Sequence, residues 1–391
     1  MKGLRDIVSR FSKGRGAFYT LNPARVEASV QAWRKELPDI TPHYAVKCNP
    51  EPQLLNLLYD KGVNFDCASQ KELLQVKDLS RGPMTDRIIY ANPCKSERDL
   101  DTAVALGSPI TVVDSVEEVQ KLTGFGALIR VAVDDSASPM PFSSKFGCPW
   151  HHIERIGAAA ASAGVPIHGI SFHVGSGSGA GAFQAAIVDA YQCLLNLRMR
   201  AAGYHNPYII DIGGGFVPAT FKAAAAEIRA AKSQIKEPIA WIAEPGRYFA
   251  ADAFDFFVQV IGKKRVGGSK AQWHYTIDDS LYGQFTCILF DKARPVWTRI
   301  GEGKRPSSPG VIFGRTCDSL DIIAKATMEE LEVGDWLYFP KMGAYTKATA
   351  SEFNGFPSPP VFQATYKELI FQPATSIERV NPVDAKNIWL K

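Results

Sequence analysis

Between residues 41 and 243 the chain alternates short apolar runs, rich in β-branched and aromatic residues, with longer stretches in which apolar positions recur at helical spacing. The runs are Pro42–Val46, Val63–Cys67, Arg87–Tyr90, Ile110–Val113, Leu128–Val133, Ile167–Val174, Pro207–Ile212 and Ile239–Ala243. Helices are predicted between them, for example over Ser96–Leu106 and over the alanine-rich Ala219–Ile235. Ser69 before Gln70-Lys71-Glu72 and Ser115 before Val116-Glu117-Glu118 have the spacing of N-caps. Eight βα units predict an α/β fold built on a parallel (β/α)8 barrel of the TIM type; a doubly wound open sheet is the alternative. In such a barrel the chemistry gathers at the C-terminal ends of the strands. Those ends carry Lys47, Asp66, Asn92, Asp114, His173, Asp211 and Glu244, with Arg130 inside the fifth run.

From about residue 254 the helical spacing stops. Short strands are predicted at Asp255–Val260, Trp273–Ile277, Cys287–Leu289, Gly310–Phe313 and Trp336–Phe339, which reads as a second, mainly β C-terminal domain. The expected organisation is a barrel over 16–253 and a β domain over 254–391, joined by the N-terminal segment 1–15. Lys263-Lys264-Arg265 reads as a solvated turn, and Ser307–Gly310 and Gly355–Pro360 as loops.

Composition narrows the function classes. With 391 residues, 46% hydrophobic and 21% charged, the chain can bury sizeable cores. A net charge of +4 without a long basic run argues against nucleic acid as a partner. No apolar stretch reaches membrane-spanning length, and the N-terminal MKGLRDIVSRF lacks the apolar core of a signal peptide. The seven cysteines show no metal-ligand spacing, so no metal is expected; reduced thiols and a cytoplasmic location are.

A lone lysine at a strand end is usually solvated, and a lone triple glycine is usually a tight turn. The combination is more pointed. Gly213-Gly214-Gly215 follows a strand and lets backbone N–H groups approach an anion. Ser171-Phe172-His173-Val174-Gly175-Ser176-Gly177-Ser178 adds a histidine, hydroxyls and more glycine, and Glu244-Pro245-Gly246-Arg247 adds a carboxylate and a guanidinium. A lysine, a phosphate cradle, a histidine and a carboxylate on one rim are the equipment for pyridoxal 5'-phosphate. Lys47 would carry the cofactor, and a carboxylate would keep the ring nitrogen protonated.

Ten motifs in order, YAVKCNP, FDCAS, IYANPCK, SFHVGSGS, DIGGGF, EPGRY, CILFDKA, TCDSLD, GAYT and FNGF, make the chain resemble eukaryotic-type ornithine decarboxylases of the alanine-racemase-like pyridoxal-phosphate fold over nearly its whole length. The resemblance implies that Lys47 holds the cofactor, His173 stacks on its ring and Glu244 pairs with the ring nitrogen. Asp66 and Arg130 would lie beside the cofactor, with Glu72 fixing their surroundings. Ser176, Gly213, Gly214, Gly215, Gly246, Arg247 and Tyr345 would hold the phosphate. Phe290 and Asp291 would line the substrate end. Cys317 and Asp318, near Phe353, would reach in from the partner of a homodimer with shared sites. Cys317 would protonate the α-carbon, and Asp318 with Asp291 would bind the distal ammonium of a basic amino acid.

The chain departs from the family at Phe290-Asp291-Lys292, usually Tyr-Asp-His, at Arg315, usually proline, and at Asp278-Asp279-Ser280, usually Asn-Asp-Gly. These changes surround the substrate pocket and leave the reaction type intact. The implied activity is decarboxylation of ornithine to putrescine in polyamine biosynthesis. The alternatives are a lysine or dual lysine/ornithine decarboxylase and, from another class, an inactive antizyme-inhibitor-like binding protein. The last is disfavoured because Lys47, Glu244, Arg247, Tyr345 and Cys317 are all retained.

Overall fold

The structure, a computed structural model, describes residues 2–14, 16–79, 87–107, 110–136, 138–139, 143–200, 208–268 and 272–366. It divides into two compact units: Val26–Phe249, and the residues before 26 together with those from 250 onward.

The first unit is a closed barrel of eight parallel strands, Ile40–Ala45, Asn64–Cys67, Ile88–Tyr90, Ile110–Val113, Gly126–Arg130, Ile167–Ser171, Ile209–Asp211 and Ala240–Ala243. Pairing of Ile40 with Trp241 and Pro42 with Ala243 closes it. Each strand lies within or close to an expected apolar run, but the runs overshoot. The fifth strand stops at Arg130, because beyond it only an isolated Val131–Cys148 bridge continues the pairing. The sixth stops at Ser171, so His173 sits two residues past the strand rather than on it. Both predicted caps form: Ser69 Oγ accepts from Glu72 N at 3.3 Å and Ser115 Oγ from Glu118 N at 3.2 Å. Inside the barrel Ile89, Ala91, Val112, Leu128 and Ile209 pack into one buried cluster.

An aromatic group fixes two of the strand-end loops from behind. Trp33 is buried, donates from Nε1 to Ile40 O at 2.9 Å, and meets Phe216 edge-on with ring centroids 5.0 Å apart. Phe221 lies 4.1 Å from Tyr248. Phe216 directly follows the triple glycine and Tyr248 directly follows Arg247, so this cluster, at about 0.5–1.5 kcal/mol per ring pair beyond area burial, anchors both loops.

The second unit is built on the long strand Phe254–Val266. It pairs antiparallel with Trp336–Phe339 and, after a bulge between Val260 and Gly262, with Gln272–Ile277. Two expectations are corrected here. Residues 16–25 do not belong to the barrel: Phe18–Leu21 is a strand on Phe254–Phe257, with the Phe18 and Phe257 rings stacked at 4.8 Å. Leu4 and Ile7, from the helix Lys2–Phe11, join the same cluster. Lys263-Lys264-Arg265 is not a turn but the end of the long strand, where Lys263 bonds Glu332 at 2.7 Å and lies 4.1 Å from the Trp273 ring centre.

Ser307–Phe313 is likewise a strand rather than a loop followed by a short strand. Its first three residues pair on one side only, with Thr327–Glu329, which leaves room for Pro309 without an N–H. Cys287–Phe290, expected to begin with a strand, is a single helical turn following the 3-10 turn Gln284–Thr286. A run of three or four apolar residues is too short for either periodicity to show.

Candidate active site

The first barrel strand ends at Ala45 and tightens into the 3-10 turn Val46–Cys48, which presents Lys47. Lys47 Nζ lies 2.7 Å from Asp66 Oδ2, on the end of the neighbouring strand. Asp66 is buried, and its Oδ1 has no partner among the described residues. Glu72, whose Oε2 accepts from Ala68 N at 2.7 Å, backs this pair; burial pushes its carboxyl up.

Opposite stand the glycines. Gly213 and Gly215 have φ of 60° and 107°, which favour glycine. A Cβ on Gly213 would fall 2.0 Å from Phe172 O, on Gly214 2.7 Å from His173 Nε2, and on Gly215 2.6 Å from Gly175 O. The loop after His173 lies against this turn, with Gly177 N donating to Gly215 O at 3.2 Å and Ser138 Oγ to Ser176 O at 3.1 Å. Gly246 is as crowded, since a Cβ there would lie 2.9 Å from Cys48 Cβ, and Arg247 opens the short helix after it. Only backbone fits at these positions.

His173 Nδ1 accepts from Gly175 N at 2.9 Å, which puts the ring's proton on Nε2. Burial, reinforced by the charges of Arg130 and Lys47, holds its proton affinity well below the usual range, which favours the neutral ring. Arg130 itself lies over the Phe146 ring at 5.0 Å. Glu244 is 7% exposed and its Oε1 has no partner among the described residues. Burial raises its pKa well above the ordinary carboxylate value, as do the charges of Asp211 and Asp66, while Lys47 and Arg130 pull it back. Asp211 is the polar end of the seventh strand, and no motif in the sequence marks it for a role of its own.

The β unit carries the other expected residues. Cys317 and Phe353 are exposed, and Cys317 N donates to Asn354 Oδ1 at 2.9 Å. Asp318 accepts from the Tyr282 hydroxyl and from Leu320 N at 2.9 Å, which hold its carboxyl below the usual range. The Tyr282 and Phe353 rings lie 4.6 Å apart. Cys317, Asp318, Phe353, Asn354 and Tyr282 therefore form one cluster. Tyr282 had no sequence signal, lying in an ordinary-looking DDSLYG turn. Phe290, 63% exposed, ends the Cys287–Phe290 turn with Asp291 after it, and Tyr345 adopts a left-handed φ of 54°.

Residues 23–251 match the family described as pyridoxal-dependent decarboxylase, pyridoxal binding domain. The chain is 38% identical over 373 residues to the chloroplastic ornithine decarboxylase of Nicotiana glauca, covering 90% of this chain and 84% of that protein. It is 36% identical to antizyme inhibitor 2 of Xenopus laevis, over 92% and 84%. Among solved structures, the arginine decarboxylase of Paramecium bursaria Chlorella virus superposes with a TM-score of 0.87 at 33% identity, over 93% of this chain and all of that one. The lysine/ornithine decarboxylase of Vibrio vulnificus, complexed with cadaverine, gives 0.84 at 30%, over 93% and 98%.

The barrel residues fit the cofactor these matches require. Glu244 Oε1 is a buried acceptor with no donor among the described residues, and a protonated ring nitrogen would supply one. The glycine turns admit a phosphate where a side chain would collide. Lys47 offers the amine for a covalent link. The cofactor is pyridoxal 5'-phosphate, and the chain belongs to the pyridoxal-dependent decarboxylase family.

Proposed function

We propose that the protein decarboxylates a basic L-amino acid, ornithine by preference, releasing carbon dioxide and a diamine, putrescine from ornithine. The observation that carries this reading is the buried Glu244 carboxyl with its unpartnered oxygen, on the same barrel rim as the Lys47–Asp66 pair. When bound, the cofactor supplies a sink for the electron pair left on the α-carbon as carbon dioxide departs.

The chain's own residues do the rest. Lys47 would hold the cofactor covalently, Glu244 would keep a proton on its ring nitrogen, and His173, held neutral by burial, would lie beside the ring without adding a competing charge. Ser176, Gly213, Gly214, Gly215, Gly246, Arg247 and Tyr345 hold the phosphate. Cys317 gives its thiol proton to the α-carbon, and Asp318 with Asp291 receives the distal ammonium, beside Phe290 and Phe353. We place Cys317 and Asp318 in the site of a second copy, which makes the enzyme a homodimer with shared sites. The exposure of Cys317 and Phe353 supports this. The seven free thiols support a reducing compartment such as the cytoplasm, and among the described residues no helix is long and apolar enough to cross a membrane.

The similarity to an antizyme inhibitor gives a second reading, an inactive binding protein. The retention of Lys47, Glu244, Arg247, Tyr345 and Cys317 speaks against it. Carbon dioxide release from ornithine, lysine, arginine and diaminopimelate, measured side by side on cofactor-loaded protein, decides. Ornithine should lead with lysine behind it, and release from none of the four would favour the binding protein.

A further inference from the structure

The loop that carries Cys317 and Asp318 is held at its base and again further out. At the base stands the buried Asp321 carboxylate. It accepts from Leu281 N at 2.7 Å, from Thr316 N at 3.0 Å and from the Thr316 hydroxyl at 2.6 Å, while Gly314 N donates to Asp321 O at 2.8 Å. Further out, the loop meets residues 353–356 at two points. Cys317 N donates to Asn354 Oδ1 at 2.9 Å, and the Arg315 guanidinium lies over the Phe356 ring, 4.1 Å from its centre. The two contacts straddle Thr316. Asn354 and Gly355 have left-handed φ of 58° and 75°, a tight bend from which the Asn354 amide and the Phe356 ring both reach the loop.

Arg315 stands where the family usually has proline. A proline stiffens a chain by its own ring, whereas here the loop is steadied by contacts from outside it. Arg315 N donates to Asp279 O at 3.0 Å, a bond that proline cannot make, and the side chain supplies the stack on Phe356. A second departure matches the first in charge. Asp278, where asparagine is usual, is buried next to the buried Asp279. Burial pushes their carboxyls up to about 6 and about 7, and the Arg315 charge pulls both back.

We propose that Arg315 is a positioning residue for Cys317: stacked on Phe356, it docks residues 314–318 on residues 353–356 and so fixes where the Cys317 thiol is presented. This rests on the proton-donor role given to Cys317 above and deepens it. Arg315 takes no part in the proton transfer itself. A guanidinium over an aromatic ring at a partly exposed position is worth a factor of about two to five in such a docking equilibrium, so without it the loop loosens rather than detaches.

The test combines amide hydrogen exchange with kinetics on cofactor-loaded wild type, Arg315→Ala, Phe356→Leu and the double variant. The Cys317 amide, bonded to Asn354, reports docking, and amides of the strand Ile322–Glu329 are the control. Each single variant should speed exchange at Cys317 by about two- to fivefold and leave the control unchanged. Each should lower kcat for ornithine by a similar factor, with KM within about twofold of wild type. The double variant should go no further than either single one, because both remove the same contact. Arg315→Lys keeps a cation without the planar face and should fall between wild type and Arg315→Ala; it also replaces Arg315→Ala should that variant not fold. Unchanged exchange at Cys317 in Arg315→Ala, or single effects that add in the double variant, overturns the docking. Faster exchange with an unchanged kcat overturns the positioning of Cys317. Wild type that releases carbon dioxide from none of the four amino acids overturns the functional reading, and with it the catalytic half of the proposal, whatever the exchange shows.

Discussion

Lys47 Nζ and Asp66 Oδ2 stand 2.7 Å apart, and their exposure is unequal: the lysine side chain is 44% exposed and the aspartate side chain is fully buried. A buried carboxylate is a fixed anchor, whereas a half-exposed amine can be reached. The pair thus holds the lysine at the end of the first strand with part of its side chain exposed, which suits the cofactor attachment proposed for it.

Lys47→Ala should therefore abolish turnover and covalent retention of the cofactor. Borohydride reduction followed by peptide mass analysis should find the cofactor on Lys47 in wild type and on no residue in the variant. A cofactor adduct at another lysine in the variant would remove this assignment.

Glu244→Ala takes away the carboxylate proposed to pair with the ring nitrogen. Stranding a buried charge costs about 3–5 kcal/mol, and at ~1.4 kcal/mol per tenfold this is a loss of roughly 10²–10⁴ in turnover. Circular dichroism should show the fold intact. Activity within about threefold of wild type would refute the electron-sink role.

The barrel was legible because its eight strands are apolar runs with polar ends, and Ile110–Val113 falls on the boundaries read from the sequence. Elements without a pattern were not. Phe18–Leu21 is buried at all four positions, has no alternation, and is a strand through its pairing with Phe254–Phe257 and Val361–Gln363. Val361–Gln363 in turn is a strand through its parallel pairing with Tyr19–Leu21. For the candidate site, motifs point to Lys47, His173 and Glu244, whose proposed roles follow from residue type. Tyr282 and Asn354 act through where long-range folding puts them: Tyr282 bonds Asp318, 36 positions along the chain, and Asn354 receives an N–H from Cys317, 37 positions away. No local spacing encodes such pairs.

His43 gives the fold a pH signature. It is buried on the first barrel strand with Nδ1 unpartnered among the described residues, and burial lowers its pKa from 6.5 to about 4. Between those values the unfolded chain binds a proton that the folded one does not, so this residue's contribution to stability falls as pH drops from 6.5 towards 4, by about 3 kcal/mol in all. Denaturation midpoints from pH 7.5 to 4.5 should fall less steeply for His43→Asn than for wild type. Parallel slopes would show that His43 does not titrate this way.

Mixing Lys47→Ala with Cys317→Ala should restore activity that neither variant has alone. If Lys47 and Cys317 of one site come from different copies, a heterodimer holds one intact site of two, and random exchange in a two-fold dimer gives roughly a quarter of wild-type activity. No recovery, with exchange demonstrated by differently tagged subunits, would place each site within one chain.

The most direct measurement is kcat/KM for ornithine, lysine and norvaline on wild type and Asp318→Ala. Asp318, whose carboxyl is held below the usual range by Leu320 N–H and the Tyr282 hydroxyl, is proposed to receive the distal ammonium. One methylene discriminates by only ~1–3 kcal/mol, so lysine should react more slowly than ornithine but measurably. Norvaline, which lacks the ammonium, should be rejected far more strongly because it leaves carboxylates unmet. Asp318→Ala should lose most of the ornithine value and most of the distinction from norvaline. Norvaline turned over as well as ornithine by wild type, or an ornithine value unchanged in Asp318→Ala, would contradict decarboxylation of a basic amino acid at this site.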